Sequence, residues 1–301
     1  MPAKTVTTLG PLVSEFTEEF VRHTRGEYAG QLVDLRPFQR AILDGLFELN
    51  DAGLWKHRQG LVILPRKSGK SLLLSGVATW ALFASGEPGC EVYCVAASKD
   101  QARIVFQNIK DTVEADPDLS EVAEVYKDAI AVPSTGAVCR VLSSDGSLAH
   151  GLSPVISIVD ETWCHPTGEL YEALLSGSGA RRQSLLVHIT TAGAGERNPL
   201  ANLVEYDRRV TAGEVDDETW WSWWKPPPPD AGCHAPATGV GARRHPARSF
   251  NGISDTGVGI NRVHTGMLHS SGHVNLDGCA HCGRRRCDRE RGGRGAFRRR
   301  F

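Results

Sequence analysis

Two short stretches of the chain combine residue types and spacings suited to phosphoryl chemistry. The first reads Gly60-Leu61-Val62-Ile63-Leu64-Pro65-Arg66-Lys67-Ser68-Gly69-Lys70-Ser71, an apolar run that ends in a basic turn. A strand ending near Leu64 aims such a turn at the N-terminus of the next helix, where free N–H groups and the helix dipole attract phosphate. Arg66, Lys67, Ser68, Gly69, Lys70 and Ser71 are therefore the candidate phosphate cradle. Gly69 lets the backbone approach the anion, Lys70 brings a point charge to the β/γ-phosphates, and the Ser71 hydroxyl can ligate Mg²⁺. The general pattern for such a loop has Gly six residues before the lysine; this chain has Leu64 there.

The second stretch is Pro154-Val155-Ile156-Ser157-Ile158-Val159-Asp160-Glu161. An apolar strand ending in adjacent carboxylates suits an Asp160 that organises Mg²⁺ and a Glu161 that orients and deprotonates an attacking water. The same pair could simply cap a helix and supply its first-turn acid. Two further stretches belong with these. Thr190-Thr191-Ala192 follows the strand-like run 184–189, and its hydroxyls could report the state of a γ-phosphate. Phe38-Gln39, some thirty residues before the basic turn, resembles the adenine-reading element of helicase-like motors, since a glutamine amide matches both the donor and the acceptor of adenine. The plainer alternative is an amphipathic helix with Gln39 in solvent.

The elements that must position these residues follow from periodicity. Residues 36–47 place Phe38, Ile42, Leu43, Leu46 and Phe47 on one helical face, with Pro37 in the first turn. Residues 72–83 are apolar all round and predict a helix buried against a sheet. Residues 91–97 read as a strand. Ser98 caps an amphipathic helix reaching about residue 113, with Ala102, Val105, Phe106 and Ile109 inward. Residues 137–142 read as another strand. Alternating strands and helices predict an α/β fold with a mainly parallel sheet flanked by helices. Two strand-like runs between the basic turn and Asp160 leave room for a strand inserted between the two chemical strands. Arg181 and Arg182 read as a solvated basic turn.

At 301 residues and 41% hydrophobic, the chain can bury a sizeable core. Its net charge of −1 hides an asymmetry: residues 226–301 carry 13 Arg, no Lys and 5 acidic residues, a balance of +8 that leaves −9 for residues 1–225. Four of the eight cysteines fall in residues 1–225 without close pairing, which suits a reducing compartment. Residues 1–30 lack a basic-then-apolar leader pattern, and the longest apolar stretch, 72–84, is shorter than the ~20 residues a bilayer requires. The expectation is a soluble cytoplasmic protein that binds no membrane.

Leu-Arg-Pro-Phe-Gln, Pro-Arg-Lys-Ser-Gly-Lys-Ser, Ile-Val-Asp-Glu and Thr-Thr-Ala-Gly, in this order and spacing, resemble the N-terminal ATPase domain of the tailed-phage terminase large subunit. That resemblance implies a P-loop NTPase fold over residues 34–225, preceded by an extension at 1–33, and a DNA-packaging motor that uses ATP and Mg²⁺. It further implies double-stranded DNA, a portal or procapsid and a small terminase subunit as partners, a homo-oligomeric ring when assembled, and the host cytoplasm as location. The family's loop also lacks the first glycine. By the same resemblance Arg66 matches a basic residue that acts as an arginine finger in cis, with Lys67 as the fallback. Asp160 and Glu161 carry Mg²⁺ and water activation, and Thr190, Thr191 and Ala192 couple hydrolysis to DNA movement.

After residue 225 the character changes. Residues 226–301 are rich in Arg, Gly, Pro and His, lack sustained apolar periodicity, and hold too few carboxylates for the family's nuclease domain. The expectation is a disordered basic tail on a chain truncated before that domain. Its composition favours out-of-frame translation over a genuine extension with a metal knuckle at Cys279, His281, Cys282 and Cys287. Two other functions fit parts of the pattern: a helicase-like P-loop nucleic-acid motor, and a nucleic-acid-binding protein whose loop is idle.

Overall fold

A computed structural model describes residues 7–143, 151–165, 168–191 and 198–224. The tail beyond residue 224, including its cysteines, and Ala192 lie outside the described residues.

The apolar run before the basic turn is β1 (Gln59–Ile63), and the segment after it is α3 (Lys70–Ala84). The run at 91–97 is β2 (Glu91–Ala96). Ser98 caps α4 (Lys99–Ala115) by accepting from the Gln101 N–H, and Ala102, Val105, Phe106 and Ile109 are buried as the pattern requires. α5 (Pro117–Val122), β3 (Glu124–Val125), β4 (Ala129–Val132) and β5 (Ala137–Ser143) follow. The carboxylate-tipped run is β6 (Ile156–Asp160), then a 3-10 turn (Thr162–Cys164), α6 (Glu169–Ser178) and β7 (Leu185–Thr190). α7 (Pro199–Thr211) and β8 (Trp220–Trp224) close the described chain. α1 (Gly10–Phe20) and α2 (Pro37–Leu46) precede all of these.

The eight strands form one sheet in the order β3-β4-β5-β2-β6-β7-β1-β8. From β5 to β8 every pairing is parallel; β3 and β4 add an antiparallel edge. A strand does separate β1 from β6, but it is β7, which comes after β6 in the chain. The two earlier runs, β2 and β5, lie beyond β6 instead. All six residues of β7 are buried, which suits a central strand covered on both faces.

Side-chain alternation assigns the helices to faces. Trp220 of β8 packs with Leu61, Ile63 and Leu200 of α7, whereas Trp221 lies against Gly45 of α2. α7 and α2 therefore cover opposite faces. α6 shares the α7 side, burying Leu170, Tyr171 and Leu174 on Tyr93, Val95, Val159 and Leu186. α3 and α4 pack together on the sheet, and α1 sits on α3. At that crossing a Cβ on Gly76 would stand 2.5 Å from Thr17 Oγ1, so the glycine permits the close approach. Residues 1–33, uninformative in sequence, thus supply a helix of the core.

Arg181 is not a solvated turn residue. Its guanidinium donates to the carbonyls of Ser153, Pro88 and Gly89 at 3.0, 3.2 and 2.7 Å, tying three loops together. Arg182 is exposed, as the sequence suggested.

Candidate active site

β1, β7 and β6 are parallel neighbours, so their C-terminal ends share one edge of the sheet, the usual ligand side of such a sheet. The basic turn leaves β1 there. Leu64 still donates to the Thr190 carbonyl at 3.0 Å, and then the chain curls through Lys67 (φ +62°) and Gly69 (φ +79°) into α3. Left-handed backbone is free for Gly69 and costs Lys67 about 1 kcal/mol, a strain typical of functional loops. Ser68 Oγ donates to the Pro65 carbonyl at 2.7 Å and closes the turn. Arg66 and Lys67 are exposed on it, and Ser71 lies in the first turn of α3.

Gln39 is buried, at 6% exposure, which rules out the solvated alternative. Its Oε1 accepts from the Arg36 N–H at 2.9 Å and its Nε2 donates to the Ser68 carbonyl at 3.3 Å. A Cβ on Gly69 would stand 2.8 Å from that Nε2. Gln39 thereby ties the start of α2 to the basic turn, and both ends of its amide are engaged with backbone. Phe38 beside it is half-buried.

At the tip of β6 the two carboxylates have different environments. Asp160 is pushed up to about 6 by burial and by the neighbouring Glu161 charge, against the attraction of Lys70. Its Oδ1 accepts the Glu161 N–H at 3.0 Å. Glu161 has left-handed backbone, φ +48°, which turns its side chain away from the strand direction. Burial would raise it too, but Lys70, Thr191 and Trp163 outweigh burial and hold it below the ordinary carboxylate range.

Five contacts fix the Glu161 carboxylate. Oε2 accepts from Trp163 Nε1 at 2.9 Å, Thr191 Oγ1 at 3.1 Å, Thr191 N–H at 3.2 Å and Thr190 Oγ1 at 3.3 Å. Oε1 faces Lys70 Nζ at 3.5 Å. The structure thus brings Lys70, Asp160, Glu161, Thr190 and Thr191 together. Thr190 and Thr191 meet the carboxylate itself.

Trp163 escaped the sequence reading. Its signal is an indole two residues after Glu161, a spacing that means nothing until the 3-10 turn folds it back. Behind the same turn, Tyr171 sits edge-on between His165 and His188, with ring centroids 5.0 Å away on each side. Burial pushes these histidines down to about 4 and about 3.

The donors suit a hard cation. Asp160 is a half-buried carboxylate pushed up to about 6 by burial and by Glu161, and the Ser71 hydroxyl is a hard oxygen ligand. No helix among the described residues is long and apolar enough to cross a membrane.

Comparison with known proteins identifies the family. The chain is 30% identical over 200 residues to the terminase large subunit of Enterobacteria phage HK97, covering 64% of this chain and 39% of that protein. It is 46% identical over 59 residues to protein YmfN of Escherichia coli K12, covering 20% of this chain and 12% of that one. The crystal structure of the HK97 large terminase superposes with a TM-score of 0.63 at 26% identity, over 75% of this chain and 45% of that one. The chain therefore spans less than half the length of these relatives. Residues 37–209, more than half of the chain, match the family described as the terminase large subunit, ATPase domain, and with this fold and site the chain belongs to that family.

Proposed function

We propose that this chain hydrolyses ATP as the motor domain of a DNA-packaging terminase, coupling hydrolysis to movement of double-stranded DNA into a procapsid. The observation that carries the reading is the convergence of Lys70, Asp160 and Glu161 at the shared end of β1, β7 and β6, with Lys70 Nζ 3.5 Å from Glu161 Oε1. Without nucleotide, the lysine and the carboxylate neutralise each other. A triphosphate seated on the N–H groups of the basic turn draws Lys70 to its β/γ-oxygens and leaves Oε1 to accept a proton from the attacking water.

Ser71 and Asp160 are the residues that would hold Mg²⁺, which when bound supplies charge neutralisation at the phosphates. Arg66, exposed at the turn, is the proposed arginine finger, with Lys67 next to it. Gln39 reads adenine by exchanging its longer bond, that to the Ser68 carbonyl, for the base, with Phe38 alongside. Thr190 and Thr191, bonded to Glu161, transmit the state of the carboxylate, and Ala192 continues that segment. Membership of the family supports a portal or procapsid, a small terminase subunit and a ring of identical subunits as partners.

The test is ATP turnover with and without double-stranded DNA for the parent, Lys70→Ala and Glu161→Gln. Lys70→Ala abolishes turnover and greatly weakens ATP binding. Glu161→Gln still binds ATP·Mg²⁺ and loses about 10²–10⁴-fold in rate, as expected for a lost general base. Parental turnover in either variant defeats the assignment.

A further inference from the structure

We propose that Trp163 is a positioning residue that anchors one oxygen of the Glu161 carboxylate so that the other faces Lys70 and the phosphate site. This rests on the reading of Glu161 as the base that activates water.

The carboxylate is divided in its contacts. Oε2 collects every neutral donor, namely Trp163, Thr190 and both Thr191 groups, while Oε1 meets Lys70. The indole contact, at 2.9 Å, is the shortest of the five. Because the left-handed backbone of Glu161 takes its side chain out of the strand pattern, these donors rather than the pleat of β6 fix its direction. An indole N–H suits the task, since it donates and cannot accept, so it cannot take up the proton that Glu161 is there to receive.

Trp163 is itself held firmly. It lies in the 3-10 turn, where Cys164 N–H donates to the Glu161 carbonyl at 2.8 Å. Its ring packs on the cluster of Leu61, Ile63, Leu200 and Trp220, beside Leu203 and Val204 of α7. The Glu161 carboxylate is thus referenced to β1 of the sheet and to α7 packed on it, through a planar side chain with two torsions.

Trp163→Phe removes the N–H and keeps the aromatic body. In the full chain, we expect ATP affinity within about twofold of the parent and kcat lower by about 10–100-fold, the usual worth of a hydrogen bond to an ionised group. In a Glu161→Gln background the same change alters the residual rate less than twofold, since its effect passes through the carboxylate. The Trp163 indole ¹H–¹⁵N resonance, recognised by its absence in Trp163→Phe, moves in Glu161→Gln, because its acceptor has changed.

An unchanged kcat overturns the proposal. So does a full additive loss in the Glu161→Gln background, or a Trp163→Phe chain that fails to fold, either of which assigns the indole to packing alone. If the parent hydrolyses no ATP, the functional reading fails, and the indole resonance still decides: one unmoved by Glu161→Gln refutes the anchoring of Glu161 by Trp163.

Discussion

Asp160 carries an electrostatic burden that Glu161 escapes, although they are neighbours in sequence. Glu161 is satisfied by Lys70 and a ring of donors, whereas Asp160 has the Glu161 N–H and a repelling charge beside it. Its folded value of about 6 lies above the ordinary 3.8. The folded state therefore holds this proton more tightly than the unfolded state. The ionised group destabilises the fold fully above about pH 6, and the penalty disappears as pH falls toward 4. Two units correspond to roughly 2–3 kcal/mol. Asp160→Asn, which keeps the acceptor for the Glu161 N–H, should raise the ligand-free Tm at pH 7.5 by about 5 °C. The gain should shrink toward pH 4 while ATP turnover is lost; a melting temperature at or below the parent's at pH 7.5 refutes the account. Arg66, by contrast, is exposed, and as the proposed finger on transition-state charge its change Arg66→Ala should lower kcat by up to ~10³-fold with little change in ATP affinity. A loss confined to affinity passes the role to Lys67. Lys70, Asp160 and Glu161 could be read from sequence because a charged residue at the end of an apolar run is conspicuous. The engagement of Gln39 could not be, because its partner is a backbone carbonyl 29 residues away.

Between elements, the position of β7 decides what surrounds the site. Inserted between β1 and β6, it brings Thr190 and Thr191 to Glu161 and buries His188 beneath them, with Nδ1 3.4 Å from Thr162 Oγ1. The sequence offered strands of the right number near the two chemical runs but no means of ordering them, since a continuous apolar run says only that a strand is central. β4 and β3 were too short to show a period, and α1 was missed because its apolar face is interrupted by Ser14 and Thr17, both buried. The histidines that β7 and the 3-10 turn enclose give this layer a pH dependence. His165 and His188 are depressed to about 4 and about 3, below the ordinary 6.5. The unfolded chain therefore binds protons that the folded chain refuses. Their contribution to stability is complete above about pH 6.5 and is lost progressively as pH falls toward 4 and 3, outweighing the opposite trend of Asp160 alone. Thermal melts of the parent should drop steadily below pH 6.5. His188→Gln should flatten that slope between pH 6.5 and 4, and a parallel slope in the variant removes His188 from the account.

Across the described chain, the basic turn after β1 is tied to a strand far from it in sequence. β8 pairs in parallel with β1 along its whole length and sends alternate tryptophans to the two faces of the sheet. Trp220 is buried edge-on against Tyr206 at 5.0 Å, and its Nε1 donates to Asp207 at 2.8 Å, securing α7. Trp221 rests on Gly45, where any Cβ would overlap its ring, securing α2. α2 in turn carries Gln39, whose amide holds the Ser68 carbonyl of the turn. Loss of β8 should thus remove the buried indole of Trp220, worth about 3–5 kcal/mol by the usual cost of truncating a buried aromatic, together with the half-buried indole of Trp221. It also frees α2, which carries Phe38 and Gln39, the proposed adenine contacts. Residues 7–224 contain the strands, the helices on both faces and the site, so a chain ending at residue 225 should unfold in one transition and bind ATP as the parent does. A chain ending at residue 218 should melt far lower and bind ATP weakly even at temperatures where it stays folded, because α2 has lost its seat. Calorimetry and ATP titration of the two truncations separate these outcomes. If the shorter chain matches the longer in both, β8 is only an edge strand, and the route from Trp221 through α2 to Phe38 and Gln39 carries no weight.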